Sequence, residues 1–363
     1  MTDLVIVKNV TNETVIVKNE LLMDPAGYII TAFVLFLIGF CGFFLNLFVI
    51  LLMWKDKQLW TPLNIILFNL VCSDFSVSIF GNPWTFISAM SYGWIWGSTM
   101  CVMYGFFMSL LGITSITTLT VLAFERFMIV SKPFQRKCIN RTNAFYMVIG
   151  IWTYSLILTT PPLMGWGKYG NEAANISCSV NWEDRGTNAK SYIMYLFFFG
   201  LVVPIIVIGY SYTFILITMR ANKMNMGQIC RVESRVAYTV FMMILAFLLA
   251  WTPYSIFALL AQFGDPTLVT PSSGVVPALI AKSSICYNPI IYVGLNRQFQ
   301  QSLKELFQKE STRTINHSCE TYALAVSKYI SENNKKMNST DKKKEARTMT
   351  KLEEVSHETE DLL

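Results

Sequence analysis

Seven stretches of about 20 or more residues, each almost free of charge, alternate along the chain with short polar segments. They run from Pro25 to Trp54, Pro62 to Met90, Ser98 to Val130, Asn143 to Gly165, Ser191 to Met219, Val236 to Phe263 and Ser273 to Leu295. An α-helix rises 1.5 Å per residue and a hydrocarbon layer is about 30 Å thick, so each stretch is long enough to cross a membrane. Pro204, Pro253 and Pro289 fall inside these runs, where neighbouring helices of a bundle can satisfy the freed carbonyls. The expected fold class is an all-α membrane protein, a seven-transmembrane helix bundle over residues 25–295 behind an N-terminal segment 1–24.

Two shorter patterns flank the bundle. Val-Ile-Val-Lys-Asn occurs at residues 5–9 and again at 15–19, and this alternation predicts a small hairpin. After the last span, Phe299, Leu303 and Phe307 recur every four residues with polar and basic neighbours, which predicts a short amphipathic helix over 296–308 along the membrane surface. Residues 309–363 are polar and read as a disordered tail.

Charge sets the orientation. Lys55 and Lys57 lie in the first loop, Lys132, Arg136, Lys137 and Arg141 in the third, and Arg220, Lys223 and Arg231 in the fifth, so these loops are expected to be cytoplasmic. The N-terminus is then extracellular at the plasma membrane, with glycosylation sequons at Asn9 and Asn12 and a further one at Asn175 in the fourth loop. No signal-peptide pattern precedes the first span, which is expected to insert the chain.

Composition narrows the chemistry. The chain has 363 residues, 53% hydrophobic and 14% charged, and a net charge of +6. Its tail alone holds 10 Lys/Arg and 10 Asp/Glu, which leaves about one charge in ten residues for the bundle. Both histidines, His317 and His357, fall in that tail, so the apolar body can build no His-based metal site or Ser-His or Cys-His pair. Basic residues scattered singly also argue against nucleic-acid binding.

Charge at membrane depth is costly, about 2.5–3.5 kcal/mol per residue even on low estimates, and so marks function. The first, fourth, fifth and sixth spans carry none. Asp74 lies in the second, Glu125 and Arg126 at the inner end of the third, and Lys282 about 20 Å from the inner end of the seventh. Lys282 is too deep to reach water. One reading pairs it with a carboxylate, but within the spans only Asp74 and Glu125 are on offer, the latter at the far surface. The other is a desolvated amine with a free lone pair, able to condense with an aldehyde as a Schiff base. Phe247, Trp251 and Tyr254 share one face of the sixth span around Pro253, and Gly112 leaves room on the third. Such a stripe is commonly core packing; beside a buried lysine it also fits a slot for a long conjugated hydrocarbon.

Topology leaves Cys101 and Cys178 near the outer, oxidising side and predicts a disulfide pinning the fourth loop as a lid. Cys41, Cys72 and Cys286 fall within spans and are expected in the core.

The constellation resembles the rhodopsin-like G-protein-coupled receptors over roughly residues 25–308. The motifs are Asn46, Leu-Val-Cys-Ser-Asp74, Glu125-Arg126-Phe127, Trp152, Pro204 with Tyr212, Trp251-Thr-Pro253-Tyr254 and Asn288-Pro289-Ile-Ile-Tyr292. Lys282, six residues before Asn288, matches the retinal lysine of opsins, and Asn296-Arg297-Gln298 is similar to a signature of ciliary opsins. The resemblance implies a light receptor with 11-cis-retinal on Lys282, lined by Tyr104, Gly112, Phe247, Trp251 and Tyr254. It also implies a heterotrimeric G protein, of the inhibitory class by analogy, with a receptor kinase and arrestin at the tail. Arg126 would hold Glu233 in the dark, Tyr212 and Tyr292 would rearrange beside Arg126 on activation, and Asp74, Asn46 and Asn288 would form a water-linked network.

Departures from the pattern matter as well. Phe127 replaces a Tyr, Ala250 stands for a Cys, and the cysteine pair that usually carries lipid is missing. Tyr104 occupies the position where vertebrate visual pigments carry a glutamate counterion, which leaves Glu172 in the lid loop for that role and implies a bistable pigment. This resembles non-visual opsins of the encephalopsin, teleost multiple-tissue and pteropsin kind. The rival readings are a chemically sensed receptor, against which Met108 stands where amine receptors place an Asp, and a retinal photoisomerase, which has less need of the switch residues. A proton pump would need a relay of carboxylates, and Asp74 alone is available.

Overall fold

The computed structural model describes residues 21–131, 140–172, 174–221, 228–265 and 270–306, with a few isolated positions beyond. The expected N-terminal hairpin, the sequons at Asn9 and Asn12 and most of the tail lie outside the described residues. The chain divides into two compact units, Met1–Ser302 and Leu303–Leu363, and the bundle is the first.

Local chemistry starts the helices. The first span, Pro25–Lys55, begins on a proline, whose missing N–H costs nothing in a first turn. The second, Pro62–Met90, follows Thr61, whose side chain accepts from the amide of Asn64. The third is Gly97–Ser131. The fourth, Arg141–Thr159, is capped by the Asn140 side chain. The fifth is Thr187–Ala221 and the sixth Gln228–Phe263. Thr270 and Ser273 form a reciprocal capping box at the start of the seventh, Pro271–Leu295.

Six of these helices are long and apolar enough to cross a membrane. The fourth stops at Thr159, six residues short of the expected Gly165. Pro161 and Pro162 cannot donate to the preceding turn, so the chain tightens into a short 3-10 helix, Pro161–Met164, and reverses at Gly165 with a φ of 93°. Its place in the bundle is set by Trp152, whose indole donates to Asn69 of the second span at 2.8 Å.

The solvent expected around this bundle is lipid. Phe40, Phe44 and Leu249 are exposed while Asn46, Asp74 and Asn288 are buried, the reverse of a water-soluble globule. Cys41 corrects the expectation for the span cysteines: it is exposed on the outer face, and only Cys72 and Cys286 are partly enclosed. Phe299, on the apolar face of the expected amphipathic helix, is fully buried with its ring 5.4 Å from that of Tyr292.

Over one end of the bundle lies a lid of two short antiparallel strands, β1 (Tyr169–Asn171) and β2 (Cys178–Val180). A disulfide joins Cys101 to Cys178, tying the lid to the third span. Burial pushes the Tyr169 phenol up to about 12, so it stays protonated and donates to the carbonyl of Thr159 at 2.7 Å. The disulfide closes a loop of 77 residues, and losing such a cross-link costs about 2–5 kcal/mol. Cys101→Ser and Cys178→Ser are therefore each expected to lower the melting temperature of the solubilised protein by about 5 °C or more. Unchanged melting in both variants would show that the lid is held without the bridge.

Candidate functional site

A slot opens beneath the lid between the third, fifth, sixth and seventh spans. Two π-helical turns shape the bundle around it, Val77–Gly81 in the second span and Phe198–Val202 in the fifth. The fifth-span turn sets Gly200 against the third span, where an added Cβ would come within 2.9 Å of Ile113. The walls of the slot are apolar, supplied by Met108, Ile113, Phe197, Leu201, Phe247 and Ala258.

Lys282 enters this slot from the seventh span. Its Nζ donates to the hydroxyl of Tyr104 at 3.0 Å, and the Tyr104 ring centroid is 5.6 Å away. Tyr104 itself packs beside the disulfide and Trp94, so it meets the slot through Lys282 rather than forming its wall. Glu172 lines the same slot. One of its oxygens accepts from Tyr254 at 2.8 Å and the other from Ser177, while the Trp182 indole donates to the Tyr254 hydroxyl at 3.0 Å. Among the described residues no ion pair joins Lys282 to a carboxylate.

Beneath Lys282, Phe247 stacks on Trp251 at 5.6 Å and Trp251 meets Tyr254 edge-on at 6.0 Å. Trp251 packs closely on Gly112, where an added Cβ would stand 3.1 Å from the indole. The Trp251 N–H donates to Ser284 at 3.2 Å. Further down, Asp74 accepts from Asn288 at 2.9 Å, and Asn46 donates to the carbonyls of Gly42 and Ile285. Asn46 thus ties the first span to the seventh without touching Asp74.

At the end opposite the lid, Arg126 donates to both oxygens of Glu125, at 2.6 and 2.5 Å, and to Glu233 of the sixth span at 2.9 Å. Glu125 and Arg126 are buried, and Glu233 keeps 28% of its side-chain surface. Tyr212 donates to the Ala237 carbonyl at 2.9 Å. Tyr292 is fully buried beside Phe299. Pro289 falls inside the seventh span, next to Asn288.

A profile described as 7 transmembrane receptor (rhodopsin family) matches residues 45–292. Opsin-3 of Mus musculus is 38% identical over 292 residues, covering 78% of this chain and 72% of that protein. Parapinopsin of Ictalurus punctatus is 36% identical over 287 residues, covering 78% and 83%. The chain belongs to the opsin family. Its bundle also superposes on the crystal structure of squid rhodopsin with a TM-score of 0.73 at 30% identity, over 79% of this chain and 87% of that one.

This opsin is a multi-pass receptor of the light-receptor class and not an enzyme. Lys282, Glu172, Trp251 and Tyr254, singled out from the sequence, line one slot, and Arg126 and Glu233 meet at the opposite end. Trp182 and Ser284, and Ser177 as a partner of Glu172, were missed; they contact Tyr254, Trp251 and Glu172 in turn. Ser and Trp in a lid loop carry no periodic signal. In the sequence Ser177 is marked as the third residue of the sequon at Asn175, and its place beside Cys178 is the other signal it carries.

Proposed function

We propose that this opsin carries retinal on Lys282 and activates a heterotrimeric G protein when illuminated. One observation supports this above the others: a deeply placed lysine faces a long apolar slot that ends against Trp251, a shape suited to a conjugated chain bearing an aldehyde. Bound through a Schiff base in its 11-cis form, retinal supplies photoisomerisation. The chain's residues do the rest. Tyr104 and Glu172 hold the proton at Lys282 Nζ, the first as a polar neighbour and the second as the negative charge. Trp251, packed on Gly112, carries a change of slot shape to the sixth span, and Pro253 is where that helix can bend. With no carboxylate at the Tyr104 position, the counter-charge stays in the lid and the pigment is bistable. The lid end faces outward with the N-terminus, and the Arg126 end faces the cytoplasm at the plasma membrane. There the G protein, of the inhibitory class, docks, and a receptor kinase and arrestin act on the tail.

The test is an absorption spectrum of protein reconstituted with 11-cis-retinal, before and after illumination, together with nucleotide exchange on G protein in light and dark. A visible band that shifts with light, with faster exchange, is the expected result. A light-driven spectral change without exchange would favour a photoisomerase; no retinal uptake would sink the reading.

The switch carries its own prediction. Glu233→Gln removes the charge of the Arg126 partner at a part-exposed site, where such a pair is worth about 1 kcal/mol or less. Dark exchange should rise up to about fivefold. Arg126→Ala leaves Glu125 buried without its partner and should abolish light-driven exchange. Unchanged dark exchange in the first variant would remove Glu233 from the lock.

A further inference from the structure

The sixth span is gripped on two consecutive turns at the switch end. Arg126 holds Glu233, and one turn along the same helix the Tyr212 hydroxyl donates to the main-chain carbonyl of Ala237 at 2.9 Å. A carbonyl has two lone pairs, so Ala237 can accept from Tyr212 beside its place in the helix ladder. The Tyr212 ring also lies 5.2 Å from that of Phe241, a further turn along. Around them, Val130, Ile215 and Ala237 form a buried cluster with Phe127 and Met219 packed against it. The hydrogen bond is part-buried against this cluster, so a hydroxyl pulled from its acceptor there is poorly compensated.

We infer that the Tyr212–Ala237 hydrogen bond is a second lock on the resting sixth span, acting beside Arg126–Glu233. The bond exists while the ion pair is closed, so Tyr212 has a task before any rearrangement towards Arg126. Both acceptors sit on one face of one helix, four residues apart, and an outward swing of that end strips both. Phe127 supports the arrangement from the third span: its ring packs edge-on against Tyr210 at 5.4 Å and Phe214 at 5.8 Å, which fixes the fifth span where Tyr212 can reach across. Tyr212 is thus a positioning residue of the resting state.

This rests on the light-receptor reading above, and the test separates the two. Tyr212→Phe keeps the ring and loses the donor; Tyr212→Met keeps the apolar volume and is the second variant should the first give little pigment. Dark nucleotide exchange per pigment is expected to rise about three- to tenfold over wild type, and to rise further in Tyr212→Phe/Glu233→Gln than in either single variant. A readout without G protein uses nitroxide labels at Tyr146 and Tyr238, exposed on the fourth and sixth spans, with exposed Cys41 and also Cys138, Cys230 and Cys319 replaced by Ser. Tyr212→Phe should add a longer-distance component in the dark. Absence of that component, or dark exchange at or below wild type, overturns the lock. If wild type shows no light-driven exchange but the dark distance still lengthens in the variant, the receptor reading fails and the lock stands.

Discussion

Lys282→Ala should yield a folded protein that forms no covalent pigment. Lys282 is the lysine placed in the slot, and its Nζ has Tyr104 for a partner rather than a carboxylate. Removing it deletes the amine able to condense with an aldehyde there, and it takes a polar group out of a largely apolar slot where it has no ion-pair partner among the described residues, so folding should not suffer. The visible band should fall to background, while the Cys101–Cys178 bridge and the melting temperature persist. Acid trapping and borohydride reduction of wild type should place the adduct on Lys282. Label on another lysine, or a pigment surviving Lys282→Ala without added amine, would overturn the assignment.

Glu172→Gln should convert a visible band to an ultraviolet one. A proton at Lys282 Nζ within an apolar slot needs a negative charge nearby, and at an effective dielectric of about 20 a carboxylate in contact range is worth about 4 kcal/mol. Glu172 lines the same slot outside ion-pair contact with Lys282, so its contribution is smaller than that, and the expected result is that it still changes which form dominates at neutral pH. The hydrogen bonds from Tyr254 and Ser177 hold the carboxylate in place. Tyr254→Phe removes one of these and should shift the titration of the band less than Glu172→Gln. Tyr104→Phe removes a polar neighbour and no charge, and should leave a visible band. If the titration of the Glu172→Gln pigment matches wild type, the counter-charge lies elsewhere.

Several of these features were open to reading from the chain alone because their causes are local or thermodynamically severe. The first two apolar runs begin at Pro25 and Pro62, where a proline suits a first turn, whereas the seventh helix starts at Pro271, two residues before the expected Ser273, because Thr270 caps it there. A lysine about 20 Å deep in an apolar span is legible because lipid tolerates it only for a reason. The pairing of Cys101 with Cys178 was legible through topology, which left two cysteines at the lid end. The fourth span was misjudged because hydropathy continues past Thr159 while the hydrogen-bond ladder stops at Pro161-Pro162.

By itself, then, the sequence determined seven spans, their order, the deep lysine and the charged residues available to a switch, since each depends on residue type and distance along one helix. Tertiary structure decided which side chain answers which. Whether Glu172 faces the slot or solvent depends on the fold of the lid and on Tyr254, 82 residues away. The reach of Tyr212 to a carbonyl of the sixth span depends on how two helices are turned about their axes. Lipid, equally apolar on every side, places no constraint on that rotation; the packing of rings and buried hydrogen bonds between helices does.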